Sequence, residues 1–251
     1  MPYIDVNQKR LNYSDSHPNG PPAGGLTYLF IHGLGSSQNY YGGVIPHLTP
    51  NHRCIAIDTY GSGRSTFTGL DQSIDTIADD AVKVMDGLKV SKAVLVGHSM
   101  GGTTVLQFAA KYGDRLVAVV AIGPVHPTAD GMEPMANTIP NAATGSKSTA
   151  LQKAFIRELI LSQSPGGYIS LCKVISEATA PDYAAIKAPL LIIAGAEDKA
   201  APLEGCKHII ANVSSTLKTL DVLPGVGHWH CIEASDEIGN LILKFTRSHR
   251  G

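Results

Sequence analysis

The chain has 251 residues, with 20 Lys+Arg against 21 Asp+Glu, and charged residues make up only 16%, against about 25% in an average domain. That near-neutral, scattered balance excludes the basic face of a nucleic-acid binder, and no apolar run approaches the ~20 residues needed to cross a bilayer. Apolar residues reach 43%, with 26 Gly and 15 Pro, the composition of a folded domain with many tight turns.

In chain order, Met1 to Val6 carries no charged-then-apolar leader. Cys54, Cys172, Cys206 and Cys231 form no CxxC pair, so a reduced, cytoplasmic protein with free thiols is expected. Residues 3–14 predict a hairpin turning at Asn7-Gln8. Short apolar runs follow at 26–31, 54–57, 93–96, 116–122, 190–194 and 219–223. Most do not alternate, as strands covered on both faces should read. Ile74, Ile77, Ala78, Ala81, Val82, Met85 and Leu88 form one helical stripe, and Ile238, Leu241, Ile242 and Phe245 another. Alternating strand and helix predicts an α/β fold with a mostly parallel central sheet and helices on both faces. Between Pro124 and Pro181 no strand is expected, only helical stretches around 150–162 and 168–178. That excursion reads as a helical cap, 125–180, inserted into a core of 1–124 and 181–251, with Gly131, Gly145 and Gly166-Gly167 as candidate flexible points. No internal repeat is found.

The chemistry concentrates at four strand ends. Gly97-His98-Ser99-Met100-Gly101 follows one predicted strand and opens a helical pattern. A nucleophile on so sharp a turn leaves no room for flanking side chains and lies at a helix N-terminus, where developing negative charge is favoured. Ser99 is the candidate nucleophile. Asp198 follows the strand ending near Ala194, with Glu197 as the rival acid. His228 follows Gly225-Val226-Gly227 after the last strand, with His230 as the rival base. His228 would take the Ser99 proton and Asp198 would orient its ring. The backbone N–H groups of Leu34, in His32-Gly33-Leu34-Gly35, and of Met100 are the candidate oxyanion donors. His32 is expected to have a structural role. The spacing His228-Trp229-His230 could chelate a metal, yet no matching carboxylate or cysteine pattern accompanies it, so neither metal nor cofactor is expected.

With Asp58-Thr59-Tyr60-Gly61-Ser62-Gly63-Arg64-Ser65 between them, these pieces stand in the order of the α/β-hydrolase superfamily, which the chain resembles over nearly its whole length. Members with dehalogenase or epoxide hydrolase chemistry carry an aspartate where Ser99 stands. A narrower resemblance, to 3-oxoadipate enol-lactonases, rests on Ser164-Pro165-Gly166-Gly167-Tyr168-Ile169-Ser170-Leu171-Cys172 and on Ala184-Ala185-Ile186-Lys187-Ala188-Pro189. It implies hydrolysis of a small ester or lactone through an acyl-enzyme. His98 departs from it, standing where those enzymes often carry leucine, and the only tryptophan, Trp229, lies outside the cap. Lys147, Lys153, Arg157 and Lys173 are the cap cations an anionic substrate would meet. Strigolactone and karrikin receptors share the resemblance and would make the chain a slow-turnover ligand sensor. Carbon–carbon bond hydrolases would use the same residues on a β-diketone-like substrate. The expected partner is a small molecule, with no nucleic acid and no membrane, on a monomer or homodimer.

Overall fold

The computed structural model describes residues 2–126 and 143–248. The chain enters as an antiparallel hairpin, β1 (Tyr3–Val6) and β2 (Lys9–Asp15). Its two turn residues, Asn7 and Gln8, both take positive φ, 46° and 64°, which matches the twist of a two-residue hairpin. Then come β3 (Thr27–Ile31), the one-turn helix α1 (Ile45–Leu48), β4 (Arg53–Ile57) and α2 (Ile74–Gly87). They are followed by β5 (Ala93–His98), α3 (Met100–Lys111), β6 (Leu116–Ile122), α4 (Ala150–Leu161) and α5 (Pro165–Ser176). The chain ends with β7 (Leu190–Gly195), α6 (Leu203–Asn212), β8 (Lys218–Leu223), α7 (His230–Glu233) and α8 (Ser235–Arg247).

The strands form one eight-stranded sheet in the order β1-β2-β4-β3-β5-β6-β7-β8, antiparallel at β1-β2-β4 and parallel from β4 onward. The unbroken apolar runs divide by alternation, since successive side chains point to opposite faces. Leu29, Ile31, Leu95 and Val119 join α2, α3, α5 and α6 on one face. Tyr28, Phe30, Val94 and Val120 join Trp229 and α8 on the other. Each buried Ile or Val contributes roughly 1.5–3 kcal/mol relative to exposure, so two filled faces explain why so few charges are tolerated in these strands. β8 departs from expectation: as an edge strand it is largely exposed, with Val222 at 41%. Helix α6 is unexpected from the sequence, because Gly205 and the single stripe of Leu203, Cys206 and Ile209 give a weak period. No helix among the described residues is long and apolar enough to cross a membrane.

Two of the candidate flexible glycines are spacers instead. A Cβ on Gly167 would collide with the Gly61 carbonyl, and one on Gly145 would lie 2.6 Å from the Gly227 nitrogen. Gly131 lies outside the described residues.

The β5–α3 turn depends on backbone approach. A Cβ on Gly97 would collide with the Gly101 carbonyl oxygen, itself backbone and unable to swing aside. Gly97→Ala should therefore cost roughly 3 kcal/mol or more in urea unfolding, while Gly113→Ala, with open space around it, should stay within about 0.5 kcal/mol. Equal effects of the two substitutions would refute the steric account.

Candidate active site

Parallel strands carry their ligand-facing loops at their C-terminal ends, and the site lies there. Ser99 joins β5 to α3 at φ 55°, ψ −118°, a conformation costing an L-residue about 1–3 kcal/mol. It is held by Ser99 N–H donating to the Ile122 carbonyl and Thr103 N–H donating to the Ser99 carbonyl, both 3.0 Å. The hydroxyl Oγ lies 2.9 Å from Nε2 of His228, whose Nδ1 lies 2.9 Å from Oδ2 of Asp198. A carboxylate only accepts, so Nδ1 carries the proton and Nε2 is left to accept from the serine.

Asp198 is fixed at its other oxygen, where Oδ1 accepts from Ala200 and Ala201 N–H at 2.8 Å each. Burial pushes its carboxyl up, but attraction to the His228 ring, their hydrogen bond, His230 and the Ala201 N–H outweigh burial and leave it below the usual carboxylate range. The rival Glu197 is exposed and accepts from Ser146 N–H and Oγ at 2.6 Å each. It does not reach the histidine.

The loop after β3 adjoins the serine. A Cβ on Gly33 would lie 2.9 Å from Ser99 Cβ, which brings the backbone leading into buried Leu34 against the nucleophile turn. Met100 is the first residue of α3, so its N–H has no acceptor within the helix. His32 is structural: its Nδ1–H donates to the Gly33 carbonyl at 2.8 Å and its Nε2 accepts from Thr59 N–H at 3.1 Å. Helices α4 and α5 border the same loop. Gly35 faces Ile160 and Tyr168, and Gln163 Nε2 donates to the Ser36 carbonyl at 3.0 Å. The four cap cations are exposed, Lys147 in the turn before α4 and the other three on α4 and α5.

Sequence reasoning missed two histidine roles. His98 Nε2 and His230 Nδ1 both donate to the main-chain carbonyl of His228, at 2.6 and 2.8 Å. His98 also stacks on Tyr40, ring centroids 4.3 Å apart. His230 is thereby spent on a backbone oxygen rather than on Ser99. His98 Nδ1 and His230 Nε2 find no hydrogen-bond partner among the described residues. The one signal for His98 was its departure from the family's usual leucine. Nitrogens of His98, His228 and His230 approach within 4.8 Å of one another. A cation ligated by His228 would have to break its bond to Ser99 or to Asp198, so the arrangement suits proton transfer better than metal binding.

A family model described as alpha/beta hydrolase fold matches residues 29–161. A 2-hydroxy-6-oxo-6-phenylhexa-2,4-dienoate hydrolase of Burkholderia cepacia is 29% identical, with 97% of this chain and 95% of that protein aligned. A 2-hydroxy-6-oxononadienedioate/2-hydroxy-6-oxononatrienedioate hydrolase of Comamonas testosteroni is 25% identical over the same shares, 97% and 95%. Among solved structures, the enol-lactonase from Burkholderia xenovorans LB400 superposes with a TM-score of 0.87 at 24% identity, covering 98% of this chain and 100% of that one.

Burial lowers the affinity of His98 for a proton well below the ordinary histidine value, helped by repulsion from His228 and His230. Burial does the same, less strongly, for His230 and His32. In the unfolded chain these rings bind protons below about pH 6.5, so there the unfolded state takes up more protons than the native state. Their stabilisation is complete above pH 6.5 and is lost as the pH falls through the lowered native values. The thermal midpoint should fall steadily from pH 7 to pH 5. A midpoint that is flat or rises over that range would contradict neutral buried rings.

Proposed function

The chain belongs to the alpha/beta hydrolase fold family, and from that premise we propose that it is a serine hydrolase cleaving a carboxylic ester or lactone through an acyl-enzyme. The observation that carries this reading is the unbroken chain Ser99 Oγ–His228 Nε2, His228 Nδ1–Asp198 Oδ2 at 2.9 Å per link, buried throughout.

Ser99 Oγ attacks the substrate carbonyl as its proton passes to His228 Nε2. The imidazolium is stabilised by Asp198, whose depressed proton affinity keeps it anionic. The carbonyl oxygen takes up negative charge and accepts from the N–H groups of Leu34 and Met100. His228 returns the proton to the departing oxygen, which leaves Ser99 acylated. A water then attacks the acyl carbon, giving its proton to His228, and Ser99 is released with the proton restored. Of the expected cap, residues 127–142 lie outside the described residues; α4 and α5, within 143–180, border the loop after β3 and shape the acyl group.

Carbon–carbon bond hydrolysis is the second reading. It is favoured by the nearly full-length likeness to the Burkholderia cepacia and Comamonas testosteroni hydrolases, both named for unsaturated 2-hydroxy-6-oxo acids. The same serine, base and oxyanion donors would serve it. A kcat/KM panel separates the two: p-nitrophenyl esters of graded acyl length, an enol-lactone, and a 2-hydroxy-6-oxo-dienoate. Esters or the lactone should lead, and a dienoate preferred tenfold over all of them would move the assignment to the second reading.

On either substrate, Ser99→Ala should abolish turnover, and Asp198→Asn should lower kcat on the order of 10⁴-fold by leaving His228 in the wrong tautomer. Near-native turnover by either variant would overturn the role assigned to that residue.

A further inference from the structure

Glu233 closes the one-turn helix α7, five residues beyond His228, and its half-buried carboxylate gathers four donors. Oε1 accepts from Trp229 N–H at 3.0 Å. Oε2 accepts from Gly227 N–H at 3.0 Å, from Gly145 N–H at 2.8 Å and from the Ser148 hydroxyl at 2.8 Å. Gly227 and Trp229 flank His228, so one side chain holds both amides beside the histidine. The backbone groups of His228 itself are also taken: its N–H donates to the Ala143 carbonyl at 2.9 Å, and its carbonyl accepts from His98 and His230. Gly145 and Ser148 belong to the segment leading into α4, which ends against the same loop.

We propose that Glu233 is a positioning residue for His228, holding residues 227–229 in register and tying them to residues 145–148. Its importance for turnover rests on reading Ser99 and His228 as nucleophile and base. The residue type follows from the partners. All four are donors, so both oxygens must accept, and an anion does so with shorter, stronger bonds than an amide. A glutamine would turn an NH₂ group toward N–H groups, and the loop would have to shift. A reacting group misplaced by about 1 Å can cost about 100-fold in rate.

The test compares wild type, Glu233→Gln and Ser99→Ala on one p-nitrophenyl ester, with ¹H NMR of the downfield His228 Nδ1–H proton that bonds Asp198. Glu233→Gln should lower kcat about 10- to 100-fold with KM within about threefold, and should broaden or move the downfield resonance. Circular dichroism and the thermal midpoint verify that the variant is folded at the assay temperature. A folded Glu233→Gln with kcat within twofold of wild type and an unchanged resonance overturns the proposal. Should that variant fail to fold, hydrogen exchange in the wild type decides: strongly slowed exchange at the Gly227 and Trp229 amides supports the brace, and exchange at unprotected rates refutes it. Retained turnover in Ser99→Ala would instead overturn the reading of Ser99 as nucleophile, and the resonance would still decide whether Glu233 positions His228.

Discussion

The site depends on one strained residue. Ser99 sits at φ 55°, ψ −118° between a strand and a helix, and nothing in its side chain favours that conformation. The surrounding backbone imposes it. Its N–H extends the β5–β6 ladder to the Ile122 carbonyl, and its carbonyl accepts the first turn of α3. Gly97 and Gly101 let the two elements close to backbone contact, and Gly101 faces the carbonyl of Ile31 on the neighbouring strand. The strain of a few kcal/mol is therefore carried by a sheet buried on both faces, whose packing energy is far larger. A turn that projects a hydroxyl from such a sheet is only as rigid as the strands beneath it, which is why the strained residue follows the central β5 and not the exposed edge strand β8.

A second constraint is the burial of ionisable rings. His32, His98, His228 and His230 are all at or below 2% exposure, and Asp198 is at 7%. Burying several charges together would be prohibitive. Burial and repulsion among the rings lower the proton affinity of His98 and His230, and the Asp198 carboxylate is satisfied by three hydrogen bonds. The neutral histidines then serve as rigid donors to one carbonyl. The near-neutral composition has its local counterpart here: the site is polar yet holds few charges.

What was legible in the sequence follows from the same physics. Ser99, Asp198 and His228 could be read because each follows a short strand-like run, buried for β5 and β7 and at the exposed edge for β8, and because glycines mark where the chain turns sharply. The strands were legible for the same reason, and the hairpin at Asn7-Gln8 from its turn chemistry. His98, His230 and Glu233 were not, because all their hydrogen-bond partners but the Ser148 hydroxyl are backbone atoms, and a main-chain oxygen or N–H leaves no residue type to recognise. Gly145 and Gly167 read as flexible, since a glycine required for close approach and one required for freedom are the same letter. Helix α6 escaped because its apolar stripe is short and crossed by Gly205.

The relay and the substrate make separate demands on the fold. On the proposed reading, Ser99, His228 and Asp198 require only a carbonyl carbon, an oxygen that can take up charge and a leaving group that accepts a proton. An ester, a lactone and a β-diketone-like compound all meet those requirements. Relatives that act on chemically different bonds can therefore keep one sheet and one set of loops. On that reading, selectivity is expected where the loop after β3 meets α4 and α5, with Gly35 facing Ile160 and Tyr168. The atoms facing Gly35 there are carbons, and one methylene in an apolar pocket is worth about 1–3 kcal/mol. Graded acyl size is consequently the property to which this site should respond, more than the identity of the bond being broken.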